Sequence, residues 1–324
     1  TLNPPPAAFA GSTNLCVGVP ITLGTTPGGT WVSANTTVAT VGLTSGLITG
    51  MAPGVTTINY TLPTGCSRST TVGINPTPQP ISGLSQVCIG TTATLTTVTT
   101  GGTWVSSNSG IASVGSLTGI VSGVSAGAAT VSYVLPTGCF SMYPITVNPP
   151  PAPITGGSNV CLGGTLLLSN STPGGIWISS NSFQASVVPV SGLVSGVALG
   201  TPVLTYMLPT GCIATQPVTV NALPAPISGS SGVCVGATTT LTNPGTGTWS
   251  STFSGIASIN PTSGVALGVS SGSTVIVYTD GTTGCSVSKP LAVYLTPTAN
   301  NMTGGGGYCT GGSGVHVGID GSLN

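Results

Sequence analysis

Charge is almost absent from this chain of 324 residues. Only Arg68, Lys289, Asp280 and Asp320 are ionised at neutral pH, 1% of the residues against about 25% in an ordinary soluble domain. Such a chain has no field to steer nucleic acid, acidic lipid or a charged substrate, so no nucleic-acid partner is expected. Carboxylates are too few for the paired acids of a glycosidase or the oxygen cage of a calcium site. The single histidine, His316, alternates with Val315 and Val317 and reads as a solvent-facing strand residue, not as the base of a triad. The glycines at 304–307 lack the lysine and following helix of a phosphate loop. No apolar run nears the roughly 20 residues of a membrane span, so no membrane insertion is expected in this segment. Thr1-Leu2-Asn3-Pro4 is no signal peptide. Nothing with a helical apolar period occurs. The expectation is a protein that is not an enzyme, with no catalytic or metal residues and no cofactor.

Glycine (51) and proline (27) are abundant, which by itself would suggest low complexity. Disordered chains are poor in apolar residues, however. Here 39% of the residues are apolar, the mean hydropathy is +0.51, and the apolar residues fall in alternating runs.

A repeat of about 73 residues organises the chain. Cys16, Cys88, Cys161 and Cys234 form one series, and Cys66, Cys139, Cys212 and Cys285 a second. Trp31, Trp104, Trp177 and Trp249 keep the same period, as do Tyr60, Tyr133, Tyr206 and Tyr278, and these aromatics are the expected core. Each repeat opens on a Cys-x-Gly turn and passes through a tryptophan strand such as Thr103-Trp104-Val105-Ser106. It closes on a hairpin in which Ile58, Tyr60 and Leu62 alternate, the period of a strand with one buried face. The turn Leu62-Pro63-Thr64-Gly65 suits type I. The fourth repeat departs with a longer turn, Asp280-Gly281-Thr282-Thr283-Gly284, and the third at Phe183-Gln184-Ala185-Ser186-Val187. Many short strands between turn signals predict an all-β fold of tandem antiparallel β-sandwiches, strung into an elongated beaded rod by proline-rich spacers such as Asn148-Pro149-Pro150-Pro151.

The cysteines read as disulfide staples. Zinc would need closely spaced Cys and His, which are missing. The simplest pairing lies within repeats: Cys16–Cys66, Cys88–Cys139, Cys161–Cys212 and Cys234–Cys285. Closing loops of that size restricts the unfolded chain by roughly 4 kcal/mol each, a large gain for domains this small. Cys309 is left without a partner. Disulfides imply an oxidising, extracellular setting.

The runs Trp104-Val-Ser-Ser-Asn108, Ile111-Ala-Ser-Val114, Gly119-Ile-Val-Ser-Gly123 and Ala126 to Tyr133 resemble the bacterial immunoglobulin-like domains of the group 2 type, and the resemblance extends over all four repeats. With the added cysteine pair and the Val-Asn-Pro-x-Pro linkers, the chain is similar to the tandem arrays of giant cell-surface adhesins of Bacteroidota. Those are exported by type IX secretion and include the mobile adhesins of gliding bacteria. The resemblance implies seven-strand-like sandwiches used as spacer or adhesive modules on the bacterial cell surface, with no catalytic motif to carry over.

The expected domains are 1–6, the last strand of a preceding domain; 7–77, 78–150, 151–223 and 224–297, four complete repeats; and 298–324, the start of a fifth. The expected function is the structural and adhesive shaft of an extracellular fibre. Its partners are neighbouring domains of the same polypeptide or fibre, with surface glycans or abiotic surfaces as further candidates. A carbohydrate-binding array, with the tryptophans as stacking platforms, and a fibre built by strand exchange are the alternatives.

Overall fold

A computed structural model describes residues 3–296 together with the backbone of 302–303 and 318–319. Cys309, His316 and Asp320 lie outside the described residues, as do Thr1 and Leu2. The described chain divides into two compact units. One runs to Pro153 and adds Asn170–Ile176 and Tyr206–Ala214; the other takes Ile154–Ser169, Trp177–Thr205 and the chain from Thr215 onward. The division therefore falls inside the third repeat.

In the first unit, the first repeat contains β1 (Asn14–Cys16), β2 (Ile21–Thr22), β3 (Thr30–Ser33), β4 (Ala39–Val41), β5 (Leu47–Gly50), β6 (Gly54–Thr61) and β7 (Ser67–Asn75). They form two sheets, β1-β7-β6-β3 and β2-β5-β4. The second repeat repeats this order with β8 (Gln86–Cys88), β9 (Thr92–Thr94), β10 (Thr103–Ser106), β11 (Ala112–Val114), β12 (Ile120–Gly123), β13 (Gly127–Val134) and β14 (Phe140–Asn148), in sheets β10-β13-β14-β8 and β11-β12-β9. Seven strands split this way are an immunoglobulin-like sandwich. One pairing departs from the antiparallel expectation: β1 runs parallel to β7, with Cys16 opposite Asn75, and β8 parallel to β14, with Cys88 opposite Asn148.

The core lies between the sheets because each strand turns every second side chain inward. In the first repeat it holds Leu15, Leu23, Trp31, Ala39, Ile48, Ile58, Tyr60, Val72 and Ile74. Trp31 and Tyr60 face one another across β3 and β6, ring centroids 4.6 Å apart, and Trp104 and Tyr133 repeat the pair at 4.9 Å. The hairpin turn is type I closed by a left-handed glycine. Gly65 N–H donates to Leu62 O at 2.9 Å with Gly65 at φ 82, and Leu62 N–H donates to Cys66 O at 2.9 Å.

The start of each repeat changes sheets. Ser82 bridges to Thr96 beside β9, and only five residues later Val87 is paired with Val147 of β14 in the other sheet. Gly83, at φ 144, makes the change, and a Cβ there would fall 2.8 Å from Thr94 O. Gly11, Gly156 and Gly229 occupy the same place in the other repeats.

The linkers are not free spacers. Pro6, Pro78 and Pro151 are buried. Gln79 N–H donates to Thr99 Oγ1 at 2.8 Å and Gln79 O accepts from Thr97 Oγ1 at 3.1 Å, so the linker backbone is tied into the repeat it leads to. Residues 3–6, expected as part of a strand, carry none. Two of the few charged side chains serve the same strand-start region: Arg68 Nε donates to Pro6 O at 3.0 Å, and Lys289 Nζ to Ile227 O at 3.4 Å.

In the second unit, β15 (Asn159–Cys161) lies parallel to β22 (Thr219–Asn221), and β16 (Thr165–Leu167), β19 (Leu193–Gly196) and β18 (Ala185–Val187) form a sheet. The altered stretch at Phe183–Val187 keeps its register: Ala185 is fully buried opposite Gly196, as Ala112 is opposite Gly123, while Phe183 stays exposed. The fourth repeat is complete, with β23 (Gly232–Cys234), β24 (Thr238–Thr240), β25 (Gly247–Ser251), β26 (Ala257–Ile259), β27 (Val265–Gly268), β28 (Gly272–Asp280) and β29 (Ser286–Tyr294) in sheets β23-β29-β28-β25 and β24-β27-β26.

Candidate functional site

The chemistry-bearing residues of this chain are its cysteines, and the fold decides how they meet. Cys16 ends β1 beside Asn75, the last residue of β7. Cys66 stands just before Ser67, the first residue of β7. Cys66 and Asn75 are thus nine residues apart along an extended strand, about 30 Å. A disulfide tolerates less than about 7 Å between Cα atoms. The parallel β1–β7 register therefore rules out the Cys16–Cys66 bond that the repeat spacing suggests.

The bonds formed are Cys16–Cys139, Cys88–Cys212 and Cys161–Cys285, each with Cα atoms 5.6 Å apart. All the in-repeat pairings are thereby corrected: each bond joins the opening strand of one repeat to the hairpin tip of the next. The geometry follows from the linker. After Asn75 the chain passes directly into the second repeat, whose hairpin tip sets Cys139 Sγ 4.0 Å from Asn75 O and so beside Cys16. Cys212 Sγ stands likewise 3.8 Å from Asn148 O, next to Cys88. Bonded Cys139, Cys212 and Cys285 are buried at 0–1% exposure, while Cys16, Cys88 and Cys161 are half-buried.

Cys66 and Cys234, expected in disulfides, carry free thiols and are half-buried. Each occupies a familiar half of the staple. Cys66 Sγ lies 3.6 Å from Asn3 O, as Cys139 lies against Asn75, and Cys234 sits opposite Tyr294, as Cys16 sits opposite Asn75. Beside the first staple is an apolar cleft of about 540 Å³ lined by Leu15, Val19 and Ile21 of the first repeat and Phe140 and Met142 of the second.

Trp31, Trp104, Trp177 and Trp249 are 4–6% exposed, so none presents a ring face on which a sugar could stack. Tyr60, Tyr133, Tyr206 and Tyr278 are buried with them. Tyr60 Oη accepts from Gly29 N–H at 2.7 Å and donates to Thr26 O, and Tyr206 Oη accepts from Gly175 N–H at 2.9 Å and donates to Thr172 O. Tyr278 Oη has no hydrogen-bond partner among the described residues. Burial raises its phenol above the usual tyrosine value, and the neighbouring Asp280 carboxylate adds to that. Asp280 closes the longer fourth turn. Its Oδ1 accepts from Thr283 N–H at 2.8 Å, Thr283 Oγ1 at 3.0 Å and Thr282 N–H at 3.0 Å, and these bonds, Thr283 N–H first, hold the carboxyl below its usual range. No group of three or more His, Cys, Asp or Glu side chains that could hold a metal occurs among the described residues. None of their helices is long and apolar enough to cross a membrane.

No family model and no curated protein matches the chain. Among solved structures it is similar to the S-layer protein rSbsC(31-844), at 14% identity over 93% of this chain and 56% of that one, TM-score 0.22. It is similar to the N-terminal eight Ig domains of Down Syndrome Cell Adhesion Molecule at 12% identity, 90% and 49% coverage and TM-score 0.27, and to Drosophila N-cadherin EC1-4 at 9%, 84% and 93%, TM-score 0.21. The chain spans about half the length of the first two. The strand order within each repeat, not these likenesses, makes the chain a tandem array of immunoglobulin-like repeats.

Proposed function

We propose that this chain is a stretch of the shaft of a large extracellular adhesin or fibre, a structural and adhesive element with no catalytic role. The observation that carries the reading is that each of the three disulfides among the described residues joins one repeat to the next. An enzyme or a lone binding module gains nothing from fastening its neighbours covalently, whereas a shaft must keep successive modules attached in a fixed relation. Disulfides belong to oxidising compartments, which supports an extracellular place. The partners of first rank are repeats of the same kind: the hairpin tip at Cys66 and the strand end at Cys234 each offer the half of a staple that such a repeat completes.

The motifs around Trp104 support the finer assignment, a bacterial cell-surface adhesin of Bacteroidota exported by type IX secretion, in the manner of SprB-like gliding adhesins. Adhesive contacts, to surface glycans or to abiotic surfaces, draw on Thr and Ser hydroxyls and on exposed apolar side chains such as Phe140 and Met142. A glycan array probed with the chain is expected to show no binding that depends on Trp104, whose ring is buried.

Electron microscopy of the native protein tests the main reading: thin filaments are expected, and a compact globule would count against it. An SDS gel without reductant separates the ways of building such a filament. One band far above 31 kDa that survives reduction means one long polypeptide, and a ladder collapsing to 31 kDa on reduction means separate chains joined through Cys66 and Cys234.

A further inference from the structure

The three disulfides do more than fasten neighbours. Followed as covalent paths, they divide the chain into two rails and a set of rungs. The first rail runs from Cys16 across its bond to Cys139, along β14 and the following linker to Cys161, and across its bond to Cys285 and β29. The second runs from Cys66 along β7 and the linker to Cys88, then across its bond to Cys212 and on to Cys234. The rungs are residues 17–65, 89–138, 162–211 and 235–284, which hold the tryptophans and tyrosines of the cores. Each rung connects one rail to the other.

We infer that the array is a covalent ladder built to carry tension, in which the rails take the load and the folded bodies of the repeats are shielded from it. The mechanical claim rests on the bonding pattern alone; its use in the cell rests on the shaft reading. From Asn3 to Thr296 the backbone path counts about 290 residues, enough at full stretch for about 1,000 Å. The shortest covalent path takes 13 residues to Cys16, 22 from Cys139 to Cys161 and 11 from Cys285 to Thr296. That is about 46 residues, or about 160 Å. Much of this path is already drawn out, since strands rise about 3.3 Å per residue against a limit near 3.6 Å. The ladder has little slack to give, and no repeat can unravel while its rails hold.

The path arithmetic distinguishes this arrangement from any set of independent staples. Replacing both Cys16 and Cys139 by serine sends the load from Asn3 to Cys88, across to Cys212, back to Cys161 and out through Cys285. That path has about 147 residues, about 510 Å at full stretch, a threefold gain. Replacing both Cys88 and Cys212 removes a bond of the second rail and leaves the 46-residue path untouched.

The test is single-molecule stretching of the full chain between handles at residues 3 and 296, with Cys66 and Cys234 changed to serine to prevent exchange. The unreduced protein is expected to stop at about 160 Å of contour, the Cys88→Ser/Cys212→Ser variant at the same length, and the Cys16→Ser/Cys139→Ser variant at about 510 Å. Reductant should let the chain lengthen in unfolding steps to about 1,000 Å. Circular dichroism of each variant checks that it is folded before pulling. With Cys66 and Cys234 changed, in-repeat pairing would leave only Cys88–Cys139 and Cys161–Cys212 and stop the unreduced protein at about 191 residues, roughly 670 Å, and removal of Cys88 and Cys212 would then let it run to about 1,000 Å; either result overturns the ladder. A protein that stops at about 160 Å yet forms no filaments under the microscope would keep the ladder and sink the shaft reading.

Discussion

At the scale of single residues, the fold rests on a few positions with no substitute. Gly83 occupies a conformation that L side chains rarely adopt and has carbonyl and leucine atoms where a Cβ would go. Gly83→Ala is expected to cost about 1–3 kcal/mol, read as faster amide exchange throughout the second repeat while the fourth is unchanged. The tyrosines form a second, paired test. Tyr60→Phe removes the partner of the half-buried Gly29 N–H and of the exposed Thr26 carbonyl, a loss of about 1 kcal/mol. Tyr278→Phe removes a buried hydroxyl without a partner among the described residues and should leave the exchange of β28 amides unchanged or slower. Equal losses in both variants would show that Tyr278 is satisfied after all.

At the scale of elements, the hairpins reach the same end by two routes. Leu-Pro-Thr-Gly closes the first three with proline stiffness and a left-handed glycine, whereas the fourth uses a carboxylate to gather the N–H groups of a turn one residue longer. This makes one turn sensitive to acid. The Asp280 carboxyl is held below its usual value, so its contribution is complete above the unfolded value near 3.9 and is lost as pH falls through the lower folded value. Exchange at Thr282 and Thr283, corrected for the intrinsic pH effect, should therefore rise below about pH 4, with Thr64 and Thr137 unaffected. Asp280→Asn should abolish the pH dependence. A turn that loosens equally at Thr137 would point to some cause other than this carboxylate.

For the whole molecule, the bonds close rings of 123 and 124 residues, each restricting the unfolded chain by about 5 kcal/mol in the loop-entropy model. The rings overlap and their contributions do not add. Reduction should lower the melting temperature of the array substantially, and a chelator should leave it unchanged; unfolding by EDTA would demand a metal. Peptide mapping of the unreduced chain should recover Cys16–Cys139, Cys88–Cys212 and Cys161–Cys285 as the linked pairs. Association between chains cannot rest on ion pairs in a sequence with 1% charged residues. Filament integrity and attachment are expected to change little between about 50 and 200 mM sodium chloride, and dissociation over that range would reveal a charged partner.

The period, the strands, the buried Trp–Tyr pair and the turn type were legible in the sequence because each is a local or repeated pattern: alternation of side chains, a proline and glycine at fixed turn positions, an aromatic every 73 residues. The cysteines were legible as staples because eight of them fall in two periodic series, and six of the eight are bonded, Cys66 and Cys234 being free. The partners were not legible. A 73-residue period makes the cysteine of one repeat equivalent to that of the next, so spacing alone cannot say whether Cys16 bonds to Cys66 or to Cys139. That choice was made by tertiary structure. The sheet switch at Gly11 lays β1 parallel to β7, which carries Cys16 to the far end of the sandwich from Cys66. There the short linker after Asn75 brings up the hairpin tip of the next repeat, and with it Cys139, which takes the bond.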